Sequence, residues 1–312
     1  MNPIHDILVI VDPTASRHPA VDKAAWLAEK LDARLELFVC DTRAAREERL
    51  AAHMRKHAQE PLLLDMRSML ESLAAPLRTR GLEVTVATEC AAPLYAALID
   101  RTGRTTAGLV VKDTHHHSLA KRTFLTNTDW QLIRGCPVPL LLTKDRPWAA
   151  TPRIVAAVDP GHANDKPVLL DHEILQHASL IAGRASAELH VLHAYLPVSI
   201  IATAMAGTPS VVIAVSPEEL AREEEYHRKQ VEALVADYGV GPANIHLEVG
   251  GPAEVLPRVA DRLQADIVAM GAIARSGLKR AVIGSTAEDV LERLPCDALV
   301  VKPPNFADLL PI

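Results

Sequence analysis

The stretch Gly271-Ala-Ile-Ala274-Arg-Ser-Gly277-Leu-Lys279-Arg280-Ala-Val-Ile-Gly284-Ser285-Thr286 combines glycines, adjacent cations and a hydroxyl pair, and a helical pattern then runs to Leu294. Glycines let a main chain turn its N–H groups inward, and a helix beginning at Gly284 adds the positive end of its dipole. Such a loop suits an anion, above all a phosphate. Two plainer readings stand beside it. Ser285-x-x-Glu288 has the form of a capping box, which starts a helix whether or not an anion binds, and Lys279-Arg280 also fits a solvated face.

The corresponding place earlier in the chain reads Asp113-Thr-His115-His116-His117-Ser118, with Thr126-Asn127 where the later stretch has Gly284-Ser285. A carboxylate at Asp113 repels a polyphosphate, and histidine side chains fill the space that glycines leave open. The earlier copy is therefore not expected to take a nucleoside triphosphate in the same way. His115 and His117, aimed by a loop at one zinc with Asp113 as third ligand, form a candidate metal site.

Other histidines carry less. His53 and His57 share one face of a helix, but Arg46, Glu47, Glu48, Arg49, Arg55 and Lys56 around them indicate a solvated surface. His190 and His193 stand on opposite sides of a strand, cannot chelate together, and are expected in the core or at its rim. No Gly-x-Ser-x-Gly elbow, His-Glu-x-x-His or Walker lysine motif occurs. Binding is better supported than catalysis, with slow magnesium-dependent ATP hydrolysis the most that could be added.

The elements that must position these residues occur twice. Asp6-Ile-Leu-Val-Ile-Val-Asp12-Pro13 and Arg153-Ile-Val-Ala-Ala-Val-Asp159-Pro160 each read as a buried strand ending in Asp-Pro. Helical stretches follow at Ala20 to Leu31 and Val168 to Ile181, and second strands at Leu35 to Cys40 and Glu188 to His193. Leu82 to Ala87 answers Ile245 to Val249, each before a helix begun around Pro93 or Pro252. Ala107 to Lys112 answers Asp266 to Met270, and Leu140 to Lys144 answers Ala298 to Lys302. One fixed offset pairs Ser118 with Ser276, Lys121 with Lys279, Arg122 with Arg280 and Thr128 with Thr286.

Five strands alternating with helices in each copy predict two tandem α/β domains, residues 1–147 and 152–312, each a five-stranded parallel sheet doubly wound in the Rossmann-like manner. Ligands in such sheets sit beyond the strand C-termini where the strand order reverses. Between strands one and four, that point gathers Asp12 with Asp113 in one copy and Asp159 with Gly271 in the other.

Composition narrows the function further. With 312 residues, two domains are the expected count. Hydrophobic residues make up 49% and aromatics 3%, so Ala, Val, Leu and Ile must build the cores, as in buried parallel sheets. A net charge of −6 offers no basic footprint for nucleic acid or an anionic membrane. Cys40, Cys90, Cys136 and Cys296 are far apart and unpaired in pattern, which fits a reducing compartment. The uncharged stretch Pro197 to Ser216 is broken by Gly207-Thr208-Pro209 and reads as a lid, cavity wall or interface loop instead of a membrane span.

On these residues the chain resembles the universal stress protein family, whose nucleotide-binding members carry G-x2-G-x9-G-(S/T) after strand four and an acidic residue after strand one. Gly271, Gly284, Ser285 and Asp159 fall on those positions, and Ala274 replaces the second glycine. The tandem, E-type members are most similar, through Thr126-Asn-Thr-Asp129-Trp130, Cys136-Pro137, Lys144-Asp-Arg-Pro-Trp148, Gly284-Ser-Thr-Ala-Glu288, Cys296-Asp297 and Lys302-Pro303. The resemblance covers nearly the whole chain and implies an adenine nucleotide alpha hydrolase-like fold. It also implies a cytoplasmic stress-response protein holding ATP with magnesium, or another anion, at Asp159, Gly271, Ala274, Gly277, Gly284, Ser285 and Thr286. Asp159 would bond a ribose or base. The two domains are expected to pair as a pseudo-dimer through their fifth strands, with further homodimerisation open. The other reading is a nucleotide-free scaffold for a lipid-like metabolite along Val198 to Val215, a metal at His115–His117, or a protein partner.

Overall fold

The computed structural model describes residues 4–42, 52–114, 125–161, 169–197, 216–272, 274–275, 282–304 and 306. The first copy runs β1 (Asp6–Ile10), α1 (Pro19–Leu31), β2 (Arg34–Asp41), α2 (Ala52–Thr79), β3 (Val84–Cys90), α3 (Leu94–Arg104), β4 (Leu109–Asp113), α4 (Asn127–Gly135) and β5 (Leu140–Thr143). The second runs β6 (Arg153–Ala157), α5 (Leu169–Ala185), β7 (Glu188–Tyr195), α6 (Pro217–Val235), β8 (Ile245–Val249), α7 (Pro252–Arg262), β9 (Ile267–Gly271), β10 (Ala274–Arg275), β11 (Val282–Ile283), α8 (Ser285–Arg293) and β12 (Asp297–Val301).

Strands β1, β4, β5, β9 and β12 are almost continuously apolar and buried, as strands covered on both faces must be. Each copy has its strands in parallel, ordered β3-β2-β1-β4-β5 and β8-β7-β6-β9-β12. The two expected sheets meet edge to edge. Antiparallel pairing of β5 with β12, Leu141 opposite Leu299, joins them into one ten-stranded sheet. The likeness of the copies extends to backbone detail. Asp32, Ser186 and Gln264 close α1, α5 and α7 in the left-handed conformation at φ 54°, 52° and 50°, and β2, β7 and β9 follow within a few residues.

One core layer lies under α1, α2, α5 and α6, the other under α3, α4, α7 and α8, and each runs through both copies. Ionic groups are buried at the junction. Asp297 accepts from Lys23 Nζ (2.7 Å), the Lys144 N–H (2.8 Å) and Trp148 Nε1 (2.8 Å). Burial pushes its carboxyl pKa up, opposed by the Lys23 cation. Lys144 Nζ donates to the Leu294 carbonyl at the end of α8, and Lys302 Nζ to the Ile133 carbonyl in α4. Each copy's fifth strand is thus followed by a lysine that reaches the last helix of the other.

Candidate functional site

The strand order reverses between β1 and β4 and between β6 and β9, the crevices expected from the sequence. In the first crevice Asp113 is used structurally. Its Oδ1 accepts from the Ala20 N–H at the start of α1 and from the Thr143 hydroxyl, both at 2.7 Å, and burial raises its pKa. Asp12 accepts from the Thr14 N–H (2.8 Å) and hydroxyl (2.7 Å), which is the turn-starting role of an Asp-Pro.

Helix α4, beyond β4, begins with a complete capping box. Thr126 Oγ1 accepts from the Asp129 N–H (3.2 Å), and Asp129 Oδ2 accepts from the Thr126 N–H (2.7 Å). Asp129 is fully buried and its Oδ1 lies 2.7 Å from Lys112 Nζ. The positive end of this helix therefore already holds a fixed carboxylate. His115 and His117 lie outside the described residues, as do the side chains of His53 and His57. Among the described residues, no three His, Cys, Asp or Glu are placed to hold a metal.

The second copy differs at each of these points. Its last helix, α8, has Gly284 as N-cap at φ −61°, ψ 137°, with no side-chain cap. Position 287 carries alanine where α4 carries Asp129, and position 270 carries Met where the first copy has Lys112. The Ser285-x-x-Glu288 box does not form: Ser285 is the first helical residue, and Glu288 pairs with Arg134 of the first copy at 3.3 Å. A Cβ added at Gly284 would meet no atom within 4 Å. Among the described residues the N-cap of α8 is thus neither filled nor capped by a side chain.

Gly271 has a different reason to be glycine. A Cβ there would stand 2.5 Å from Leu170 Cδ2, so the close approach of α5 selects it. Ala274 is extended and pairs with Ile283 in the β10–β11 hairpin, and it is not among the residues with positive φ, so its Cβ carries no left-handed penalty. Thr286 is exposed in the first turn of α8. Gly277, and the side chains of Ala274 and Ser285, lie outside the described residues, as does the apolar segment 198–215.

Across the crevice, Asp159 follows β6. Its N–H donates to Asp171 of α5 at 3.1 Å, and its buried Oδ2 has no hydrogen-bond partner among the described residues. Around it stand His193, buried as its strand position leads one to expect, and two residues with no sequence signal of their own, Tyr195 and His227. His193, at the end of β7, hydrogen-bonds the Val158 carbonyl (3.1 Å) and His227 of α6 (3.0 Å), and Tyr195 stacks on His227 with centroids 4.1 Å apart. Burial lowers the pKa of both histidines. His190 faces the other side, as its spacing requires, and pairs with His246 at 3.1 Å. His227 stands in a helix of Glu, Arg and Lys whose pattern reads as solvated, which is why its partnership was not legible.

Comparison with known proteins agrees with this architecture. The family model of the universal stress protein family matches twice, over residues 3–144 and 151–302. Universal stress protein E of Escherichia coli K12 is 26% identical over 306 residues, covering 96% of this chain and 95% of that one. A Haemophilus influenzae homologue of that protein is 30% identical over 209 residues, 64% of this chain and 63% of its own. A crystal structure from Pseudomonas aeruginosa PAO1, described as functionally unknown, superposes with a TM-score of 0.74 at 30% identity over 99% of this chain and 95% of that one. A universal stress protein of Archaeoglobus fulgidus shares the fold at a TM-score of 0.68 and 13% identity, over 96% and 98%. With two matches that between them span almost all of its length, the chain belongs to the universal stress protein family.

Proposed function

We propose that this member of a stress-response family is a binding protein. Its second domain takes an anion, an adenine nucleotide in the fullest form of the reading, at the start of α8, and its first domain serves as a closed structural partner. The contrast between the two last helices carries this. Thr126 and Asp129 occupy the end of α4, whereas Gly284 and the alanine at 287 leave the same end of α8 to a ligand. A phosphate there would receive helix N–H groups and the dipole's positive end, with Asp159 on the opposite wall positioned for a ribose or base. Magnesium would accompany a triphosphate and neutralise part of its charge. The sequence pairs no nucleophile with a base, so binding is the proposed activity, and family membership makes the cytoplasm the proposed setting.

One observation favours a second reading. Leu170 packs over Gly271, so a nucleotide lying along β9 must displace it, and a nucleotide-free scaffold binding an apolar metabolite or a protein needs no such movement. Native mass spectrometry of freshly purified protein separates the two. A retained mass of a nucleotide, or uptake of one when ATP and magnesium are added, supports the first reading. An apolar adduct with no uptake of ATP at millimolar concentration overturns it.

A further inference from the structure

Helix α6 buries its apolar side chains against the second domain near its C-terminal end. Only Val231 and Val235 are buried along it, while Leu220 and Tyr226 nearer its start are 44% and 59% exposed. It holds its own shape through a Ser216–Glu219 capping box and the Glu224–Arg228 and Glu225–Lys229 pairs. Among the described residues, His227 of α6 grips the sheet through His193 and Tyr195. One turn on, Gln230 comes beside Gly161, next to Asp159. The helix is a lever anchored at Val231 and Val235 and fastened over the Asp159 wall by an imidazole pair.

The hydrogen bonds fix the protons of that pair. The Val158 carbonyl only accepts, so His193 Nδ1 carries hydrogen and its Nε2, in the neutral ring, must accept from His227 Nδ1–H. While the bond lasts, only the outer nitrogen of His227 is free to take a proton, and a proton on His193 Nε2 sets N–H against N–H. The charged groups facing the pair are Asp159 after β6, Asp171 of α5, and Glu223, Glu224 and Arg228 of α6. From β8 the residue opposite His193 is the apolar Leu247, and the other histidine of that strand, His246, is engaged with His190.

We propose that the His193–His227 bond is a pH-sensitive latch that keeps α6 against the Asp159 side of the crevice and releases it as the medium becomes acidic. Burial is the largest influence on both rings and lowers their affinity for protons in the closed form, outweighing the neighbouring carboxylates. A detached α6 returns them to the ordinary histidine value, so acid favours the detached form. The inference deepens the binding reading by giving that crevice a gate, and its test requires no ligand, so the two fail separately.

The test is hydrogen exchange of the α6 amides at pH 7.5 and 5.5, corrected for intrinsic rates, with β1 and β4 of the first domain as internal reference. One pH unit below 6.5, each released histidine multiplies the open population by about 11, an upper limit of about a hundredfold for two. The expected result is faster α6 exchange at pH 5.5 by more than tenfold, reduced in His227→Gln and abolished in His193→Gln/His227→Gln. An α6 rate that changes less than twofold, or an undiminished rise in the double variant, overturns the latch. Should the double variant fold poorly, imidazole nitrogen NMR of the wild type decides. The tautomers derived above must be present at pH 7.5 and give way to protonated rings in step with α6 exchange, and rings that stay neutral at pH 5.5 while α6 opens refute it.

Discussion

Transplanting the first domain's capping box into the second tests the asymmetry between α4 and α8 directly, through Gly284→Thr combined with Ala287→Asp. The backbone accepts the change: Thr126 has φ −74°, ψ 165° and Gly284 φ −61°, ψ 137°, and a Cβ at 284 meets open space. Without ligand the new cap and the carboxylate on the helix dipole stabilise α8 by about 0.5–1 kcal/mol. With ligand the effect reverses. A site with Kd of about 10 µM adds about 2.7 kcal/mol at about 1 mM ATP, a rise of about 5–10 °C in melting temperature for domains of this size. A carboxylate about 4 Å from the phosphate charge, at an effective dielectric of about 20, costs about 4 kcal/mol. Binding then weakens by about a thousandfold and the ligand-induced rise falls below about 0.1 kcal/mol. Met270 supplies no counterpart to the Lys112 cation that Asp129 has beside it. Thermal unfolding followed by calorimetry, with and without ATP and magnesium, reads both effects. A variant that keeps the wild-type response to ATP would refute the assignment of the anion to the end of α8.

Two further outcomes follow from buried groups. Lys23→Met strands Asp297 and Asp297→Asn strands Lys23, so each is expected to cost about 3–5 kcal/mol in urea unfolding, while the double replacement costs less than the sum; additive losses would show that the pair is not coupled. Burial holds His177 of α5 neutral with its pKa lowered to about 4. The unfolded chain takes up that proton near 6.5, so stability is full above this value and declines by up to roughly 3 kcal/mol as pH falls to 4; urea midpoints across this range should flatten in His177→Leu, and an unchanged slope counts against the burial argument.

Much of the fold could be read from the chain because both copies write it in the same local signals. The Asp-Pro strand ends and the Pro-started helices are short-range features, one fixed offset repeats the pattern from Ser118–Thr128 in Ser276–Thr286, and the sheet order of each copy agrees with them. What stayed hidden was long-range. The reach of Lys144 and Lys302 into the opposite copy depends on how two surfaces meet, which no periodicity records. The Leu170 contact that makes Gly271 a glycine joins residues about a hundred positions apart. Thr126-Asn-Thr-Asp129 has the polar pair of a capping box, but with Asp in place of the usual Glu or Gln, and only the reciprocal Thr126–Asp129 hydrogen bonds show that the pair closes a helix end. His227 belongs to a charged helix whose sequence gives no sign of a partner on β7.

The β5–β12 seam has a consequence for what such a molecule is able to become. Two separate chains of one sequence, meeting through the same strands, would be held to two identical sites, and dilution would part them. Here a short tether keeps the partners at an effective concentration of about millimolar, so the pairing is indifferent to abundance. Because the partners are not copies in sequence, a residue such as Asp129 is free to seal one site for good while its counterpart stays available. If the proposed site at α8 is the one that binds, one chain carries a single occupancy, and its response to a ligand is graded like that of a monomer despite its two-fold architecture.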